Sequence, residues 1–245
     1  MAHAAISRGI GIFGVSDHSP LFAHELDHPK PGTQMAKSEW TAYLDEATAL
    51  RAELSGRLDL RVGTEADWLP GTEATYAEAL AAAPLDYVLG SVHNIGPVHI
   101  YNRGTHALIG DVDELHRDYW RLTRAAVESG LFDILAHMDA AKARLPRAGI
   151  DLSAEVGATL DCIADNGIAV EVNTAGLRKT DELFPAPGIL DGLVARGVPI
   201  TFGSDSHRVG EVGFGWAEAR AELGRLGVTR LAAFRNRELE WVPLG

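Results

Sequence analysis

The chain has 245 residues, of which 46% are hydrophobic and 23% are charged, and this composition excludes a disordered or fibrous protein. Its formal net charge of −12, without any basic run, argues against nucleic acid as a partner. The single cysteine cannot form an intramolecular disulfide. Because there is no signal-peptide pattern and no apolar stretch of about 20 residues, we expect a cytoplasmic protein that is not bound to a membrane.

Short apolar runs alternate with helical patterns, and no linker divides them, so we expect one domain over residues 1–245. The predicted strands cover residues 11–18, 58–67, 86–93, 131–139, 168–174 and 198–207. The predicted helices cover residues 38–54, with Ser38 as the N-cap, then 75–83, 113–130, 153–167, 186–197 and 212–227, and a tail follows at 234–244. Apolar strands that alternate with helices predict a parallel sheet that is covered on both faces.

Each predicted strand ends in side chains that could bind a metal or a substrate. These groups are Asp17 and His18, Glu65, His93, His137, Asn173, and Asp205 with His207. A β/α barrel brings all of its strand ends to one face, whereas an open sheet gathers only a few at its switch point. The number of such strand ends therefore favours a barrel.

Imidazole and carboxylate side chains without cysteine suit Zn²⁺, Mn²⁺ or iron, and the sequence does not choose among these metals. The set of strand-end groups is larger than one tetrahedral ion requires, so two or three divalent ions are expected. Metal clusters of this kind activate water and stabilise charged oxygens, which indicates a hydrolase.

Six segments of the chain resemble successive motifs of the polymerase-and-histidinol-phosphatase (PHP) superfamily. The segments are GVSDHSP, VGTEADWLPGTE, DYVLGSVHNI, LFDILAHMD, AVEVNTAGLRK and ITFGSDSHR, and they are most similar to the monofunctional histidinol-phosphatase branch. The resemblance implies a distorted, seven-stranded TIM-like β/α barrel with a trinuclear metal site. It also implies hydrolysis of L-histidinol phosphate to L-histidinol and phosphate, a step of histidine biosynthesis.

The resemblance also implies which residues bind the metals. The ligands would be Glu65 and Asp205 for the first ion, Glu65, His93 and His137 for the second, and His18 and His207 for the third. Glu65 would bridge the first two ions, which a carboxylate can do and an imidazole cannot. Asp17 is expected to orient a ligand from the outer shell rather than to bind a metal itself.

A phosphate monoester requires cations besides the metals, preferably planar guanidinium groups. Arg178 follows the fifth predicted strand and is expected to bind the phosphate, while Lys142 and Arg144 are candidates for a second clamp. Together with Glu65 and Asp205, Arg178 forms the expected catalytic set.

The start of the chain departs from the family pattern. The family opens with a strand that carries a His-x-His pair, whereas this chain begins in AHAAISRG, which resembles the helix that follows that strand. The barrel is therefore expected to lack its first strand, and with it three metal ligands. A start codon assigned too late would explain this, and so would a protein that is genuinely shortened.

Two further functions stay open on the sequence alone. The chain could be a PHP-type phosphoesterase that acts on a nucleotide or another small phosphate ester, which a substrate panel would distinguish. It could also be a metal-binding protein that is catalytically weak because the first strand is missing.

Overall fold

The computed structural model describes residues 1–245. Its strands are β1 (Ile12–His18), β2 (Asp59–Asp67), β3 (Tyr87–Ser91), β4 (Asn94–Ile95), β5 (Val98–His99), β6 (Ile134–Leu135), β7 (Ala169–Asn173), β8 (Ile200–Gly203), β9 (Arg230–Arg235) and β10 (Glu238–Pro243). Its α-helices are α1 (Ala2–Ser7), α2 (Trp40–Glu53), α3 (Glu73–Ala81), α4 (Val112–Glu128), α5 (Ser153–Asn166), α6 (Ala175–Lys179), α7 (Pro187–Ala195) and α8 (Trp216–Arg225).

Six parallel strands form the main sheet, in the order β1-β2-β3-β6-β7-β8. The sheet curls into a half-barrel whose edges are β1 and β8, which confirms the prediction of a parallel α/β fold of the barrel type. All six predicted strands are present, although the fourth is extended only at Ile134–Leu135. Because the strands are parallel and adjacent, their polar C-terminal residues lie along one edge of the sheet.

Tyr87 fills the inside of the half-barrel, where its ring packs on Gly14 of β1 and Gly63 of β2. A Cβ atom at either glycine would overlap the ring, so these two positions require glycine for space rather than for backbone freedom. Ala232 and Phe234 of β9 join the same buried cluster. The β9–β10 hairpin therefore packs into the half-barrel interior.

The segment at residues 234–244, for which the sequence predicted only a tail, contains β10, and β10 pairs with β9 as an antiparallel hairpin. The two turn residues, Asn236 and Arg237, both have positive φ, as a two-residue hairpin turn of the primed type requires. Their N–H groups donate to Asp86, the first to the carboxylate and the second to the backbone carbonyl. Tertiary contacts thus stabilise a turn that the local sequence did not signal.

The helices follow the predicted pattern with small shifts at their ends. The N-cap prediction for Ser38 was wrong: its hydroxyl and N–H both donate to the Asp27 carboxylate, and α2 begins two residues later. Gly167 ends α5 in the left-handed conformation, as expected for a C-cap glycine. The short helix α6 was not predicted. None of the helices has both the length and the apolar character that a membrane crossing needs.

Candidate metal centre

Three predicted ligands converge at the C-terminal edge of the sheet. Glu65 lies near the end of β2, and His93 and His137 follow β3 and β6. The Glu65 Oε1 atom is 3.7 Å from His93 Nε2 and 3.3 Å from His137 Nε2. The Glu65 side chain is 12% exposed and both imidazoles are 6% exposed, so the cluster is shielded from bulk water.

His18 adds a fourth group on the other side of the Glu65 carboxylate. The parallel register pairs His18 with Glu65 across β1 and β2, and the His18 Nε2 atom is 3.9 Å from Glu65 Oε2. One oxygen of Glu65 thus faces two imidazoles while the other faces a third. Both oxygens of this carboxylate therefore lie beside candidate metal ligands.

Asp67 holds the His93 ring in place, a role that the sequence analysis missed. Its Oδ1 atom is 2.5 Å from His93 Nδ1, and its other oxygen accepts a hydrogen bond from the Gln34 amide at 2.8 Å. Burial alone would raise the pKa of Asp67, but His93 lowers it to about 2. A signal was available, because residues 65 and 67 of one strand must point to the same face.

The contacts of Asp17 differ from the prediction that it orients a metal ligand. Its carboxylate accepts a hydrogen bond from the His18 backbone N–H, and its side chain is exposed. The Nδ1 atom of His18 is buried and has no hydrogen-bond partner. Asp17 therefore does not position the His18 ring, whereas Asp67 has the geometry of a group that orients a ligand.

The side chains of the cluster shift one another's pKa values even without a metal. Burial raises the pKa of Glu65, but the nearby imidazoles of His18, His137 and His93 bring it well below the ordinary value. Burial lowers the pKa of His137, but the Glu65 carboxylate more than offsets this effect and the pKa rises to about 9. The metal-free site therefore holds a carboxylate beside a protonated imidazole.

Asp205 lies beside this cluster but is not within metal-binding spacing of Glu65, His93 and His137. Its carboxylate is 3.1 Å from Lys179 Nζ and 3.4 Å from His207 Nδ1, and its φ is +47°. Burial raises the pKa of Asp205, while His137 and Lys179 lower it below the ordinary value. The His207 side chain is 71% exposed, so it does not share an inward-facing site with His18.

Glu171 is a second buried carboxylate that the sequence analysis did not select. It accepts hydrogen bonds from the His137 backbone N–H at 3.1 Å and from the Asn173 amide at 2.9 Å. Burial is the main cause that raises the pKa of Glu171 to about 6. The amide oxygen of Asn173, a predicted strand-end group, accepts a hydrogen bond from the Ala175 backbone N–H.

The three predicted phosphate-binding cations have different surroundings. Arg178 is on α6, and its Nη2 atom donates to the backbone carbonyls of Ser204 and Asp205. Lys142 lies within 3 Å of Asp139, Glu182 and the Leu183 carbonyl, which occupies all three of its donors. Arg144 is exposed and forms no ion pair. The Nη2 atom of Arg178 also lies 3.8 Å from the Glu211 carboxylate, so only the other two guanidinium nitrogens of Arg178 are free. Arg144 has free donors as well, and Lys142 has none.

The residues fit a divalent metal. The buried Oε1 atom of Glu65 has no hydrogen-bond partner, although two imidazole nitrogens face it, so the site contains unsatisfied ligand atoms. Glu65, His93 and His137 form one group with metal-binding spacing, and His18, Asp67 and His93 form another. Nitrogen and oxygen donors without sulfur suit Zn²⁺, Mn²⁺ or iron.

Comparisons with known proteins agree with this chemistry. The family described as the PHP domain matches residues 1–175. The chain is 37% identical over 242 residues to the probable histidinol-phosphatase of Deinococcus radiodurans. This alignment covers 98% of this chain and 90% of the relative. The chain belongs to the PHP family. This PHP protein is also 24% identical over 237 residues to the histidinol-phosphatase of Bacillus subtilis, with 88% of each chain covered.

A solved structure shares the fold of this PHP protein. It is histidinol phosphate phosphatase from Lactococcus lactis, in complex with zinc, L-histidinol and phosphate, and it is 22% identical. The superposition has a TM-score of 0.82 and covers 98% of this chain and 90% of that one. At this identity the likeness establishes the fold of the PHP protein, which is the barrel-type architecture predicted from its motifs.

Proposed function

We propose that this PHP protein hydrolyses L-histidinol phosphate to L-histidinol and phosphate, a step of histidine biosynthesis. Water attacks phosphorus, the bond between phosphorus and the ester oxygen breaks, and that oxygen leaves as the alcohol after it gains a proton. The observation that carries the proposal is the match to the Deinococcus radiodurans relative over 98% of the chain. The metal cluster alone would fit many hydrolases.

Glu65, His93 and His137 would hold the second metal, and Glu65 with Asp205 would hold the first. A bound divalent metal would supply Lewis-acid stabilisation of the phosphoryl oxygens and lower the pKa of water. Asp67 fixes the His93 ring so that its Nε2 atom points toward Glu65. Glu171 fixes the backbone that presents His137.

His18 and His207 are proposed ligands of a third ion. Because the His207 ring faces solvent, it would have to turn inward before it could share an ion with His18. The Lys179 ammonium that pairs with Asp205 would also have to give way when the first metal binds. These two rearrangements affect only the first and third ions, so the second site should be the tightest.

Arg178 would bind the phosphate group of the substrate. The carbonyls of Ser204 and Asp205 and the Glu211 carboxylate hold one of its nitrogens beside the metal ligands, and its other guanidinium nitrogens donate to no protein group. A planar guanidinium in this position can donate to phosphoryl oxygens that also face the metals. Arg144 is a second candidate from the loop after β6.

The substrate is thus expected to be a small phosphate ester in the cytoplasm. The test is phosphate release by purified protein reconstituted with Zn²⁺ or Mn²⁺, from L-histidinol phosphate, a nucleoside monophosphate and glycerol phosphate. We expect the highest kcat/KM for L-histidinol phosphate and none in the Glu65→Gln control. A higher kcat/KM for another ester would show that L-histidinol phosphate is not the substrate. Metal binding without any turnover would show that the chain is a metal-binding protein and not an enzyme.

A further inference from the structure

Gln34 is a buried residue in the irregular segment of residues 19–36, which joins β1 to the 3₁₀ turn before α2. It is only 9% exposed, and its Nε2 atom donates to Asp67 Oδ2 at 2.8 Å. The Oε1 atom of the same amide is buried and has no hydrogen-bond partner. The one polar contact of this side chain is therefore to the carboxylate that holds the ring of His93.

The unpartnered Oε1 atom indicates what the amide is for. An amide turned the other way would place Oε1 against the Asp67 carboxylate, where both atoms are acceptors. The observed orientation thus satisfies Asp67 and leaves one buried acceptor unsatisfied, which calls for an explanation. A neutral donor also leaves the full charge of Asp67 to act on His93, whereas a lysine or arginine at residue 34 would compete for that charge.

The backbone around Gln34 is tied to the metal centre as well. The Gln34 carbonyl lies 2.7 Å from His28 Nε2 within the same segment. The next N–H, of Met35, donates to the carbonyl of His18 at 3.4 Å, so the segment returns to a candidate metal ligand. The Gln34 side chain is therefore presented to Asp67 from a fixed position.

Asp67 has other partners, but Gln34 makes the shortest contact to the oxygen that faces away from His93. The Oδ1 atom pairs with His93 Nδ1 and accepts from the Ser91 hydroxyl at 3.1 Å. The Oδ2 atom lies 3.4 Å from the Asn94 amide, compared with 2.8 Å from that of Gln34. Because a carboxylate that is held at both oxygens resists rotation, the contact at Oδ2 also fixes the oxygen at His93.

We propose that Gln34 is a positioning residue for the second metal. It fixes the Asp67 carboxylate, and Asp67 in turn orients the imidazole of His93. Segment 19–36 and the metal should therefore stabilise each other. This inference rests on the metal ligands of the proposed function and does not depend on which ester is the substrate.

Gln34→Met tests the inference, because it keeps the length of the side chain and removes the donor. In Zn²⁺ titrations of the metal-free protein, we expect the tightest site to bind about tenfold more weakly. Ser38→Ala is the matched control. The Ser38 hydroxyl donates to Asp27 Oδ2 at 2.7 Å, which anchors the same segment without a contact to Asp67. Its Zn²⁺ affinity should equal that of wild type.

A double-mutant cycle separates positioning from a merely structural role. In an Asp67→Ala background the carboxylate that Gln34 holds is absent, so the addition of Gln34→Met should not weaken Zn²⁺ binding further. Equal Zn²⁺ affinity of Gln34→Met and wild type would overturn the inference. A tenfold loss that persists in the Asp67→Ala background would overturn it too, because Gln34 would then act through another group.

Turnover of L-histidinol phosphate, measured on the same proteins, distinguishes this inference from the proposed function. The expected Zn²⁺ affinities without any turnover would reject the proposed function and support the inference. Turnover by wild type, together with independent effects of the two substitutions on Zn²⁺ binding, would support the function and reject the inference. A wild-type protein that binds neither Zn²⁺ nor Mn²⁺ would overturn the inference itself.

Discussion

The two ends of the half-barrel use similar charged residues for different purposes. At the N-terminal end, the buried Arg61 pairs at 2.8 Å with both Asp59 and Glu240, and its guanidinium also donates to the Phe234 carbonyl. The buried carboxylate of Asp86 accepts from Arg51 and from the Val62 N–H. Every charge of this network has a partner within the chain, so the network needs no ligand.

At the C-terminal end, buried ligand atoms are left without partners. Glu65 Oε1 and His18 Nδ1 are both shielded from water and make no hydrogen bond. Leaving buried polar atoms without a hydrogen bond costs stability, whereas the hydrogen-bonded network at the other end stabilises the fold. Unsatisfied ligand atoms, more than burial or charge alone, therefore distinguish the metal-binding end of the sheet from the other end.

The largest effect should come from Glu65→Gln. Loss of the bridging charge should remove the metal held with His93 and His137 and lower kcat/KM by about a thousandfold or more, since a metal supplies several kcal/mol of transition-state stabilisation. The measurements are metal content and phosphate release. A Glu65→Gln variant that keeps its metal and its activity would contradict the metal-binding role of the C-terminal end.

At the opposite end, Asp86→Ala should act on stability alone. It would leave the Val62 and Asn236 N–H groups without an acceptor, so we expect the free energy of unfolding to fall by about 3 kcal/mol in urea titrations. Below the unfolding transition, kcat/KM should match that of wild type within about a factor of two. A specific loss of metal binding in this variant would show that the two ends are coupled.

Arg178→Ala should weaken binding of the substrate phosphate without changing the metal content. The lost charge-assisted hydrogen bonds predict a decrease in kcat/KM of about 10- to 150-fold, mainly through KM. Arg208→Ala, a neighbouring arginine outside the proposed site, is the control. Wild-type kinetics for Arg178→Ala would mean that other groups bind the phosphate.

Asp67→Asn should have a smaller effect, because Asp67 acts through His93. The amide keeps the size of the side chain but removes the charge that pairs with His93 Nδ1. Loss of an outer-shell partner typically weakens metal binding about 10- to 100-fold. Zinc titrations of Asp67→Asn and of Asp17→Asn compare the two carboxylates, and only the first variant should bind less tightly.

The pH dependence should expose the coupling between His137 and the metal. In the metal-free protein its pKa is about 9, above the ordinary value of 6.5, so His137 must release a proton when a metal binds below pH 9. Apparent metal affinity should therefore rise about tenfold per pH unit from about pH 7 toward that pKa.

Stability should change in the opposite direction. Because the folded pKa of His137 is raised, its contribution to the stability of the metal-free protein is complete below about pH 6.5 and is lost as the pH rises through about 9. Calorimetry in two buffers gives the proton release, and thermal unfolding of the metal-free protein gives the stability. A metal affinity that does not change with pH would contradict the proposed pairing with Glu65.

The sequence predicted the parts of the site that depend on strand order. Glu65, His93 and His137 are at the ends of neighbouring parallel strands, so a correct topology brings them together. Asp67 was predictable in principle from the alternation of side chains along β2. The exposed ring of His207, the Lys179–Asp205 ion pair and the position of Gln34 depend instead on loop paths.

The C-terminal hairpin could not be predicted for a similar reason. Its turn residues, Asn236 and Arg237, are held by Asp86, which is 150 residues away from Asn236 along the chain. Local propensity carries no information about such a contact.

The most direct test of the account is a metal titration of the metal-free protein, followed at the same time by phosphate release from L-histidinol phosphate. The account predicts that activity appears as ions bind and that Glu65→Gln, His93→Ala and His137→Ala each lose the tightest ion together with the activity. Full turnover by the metal-free protein, or an unchanged tightest site in these three variants, would contradict it.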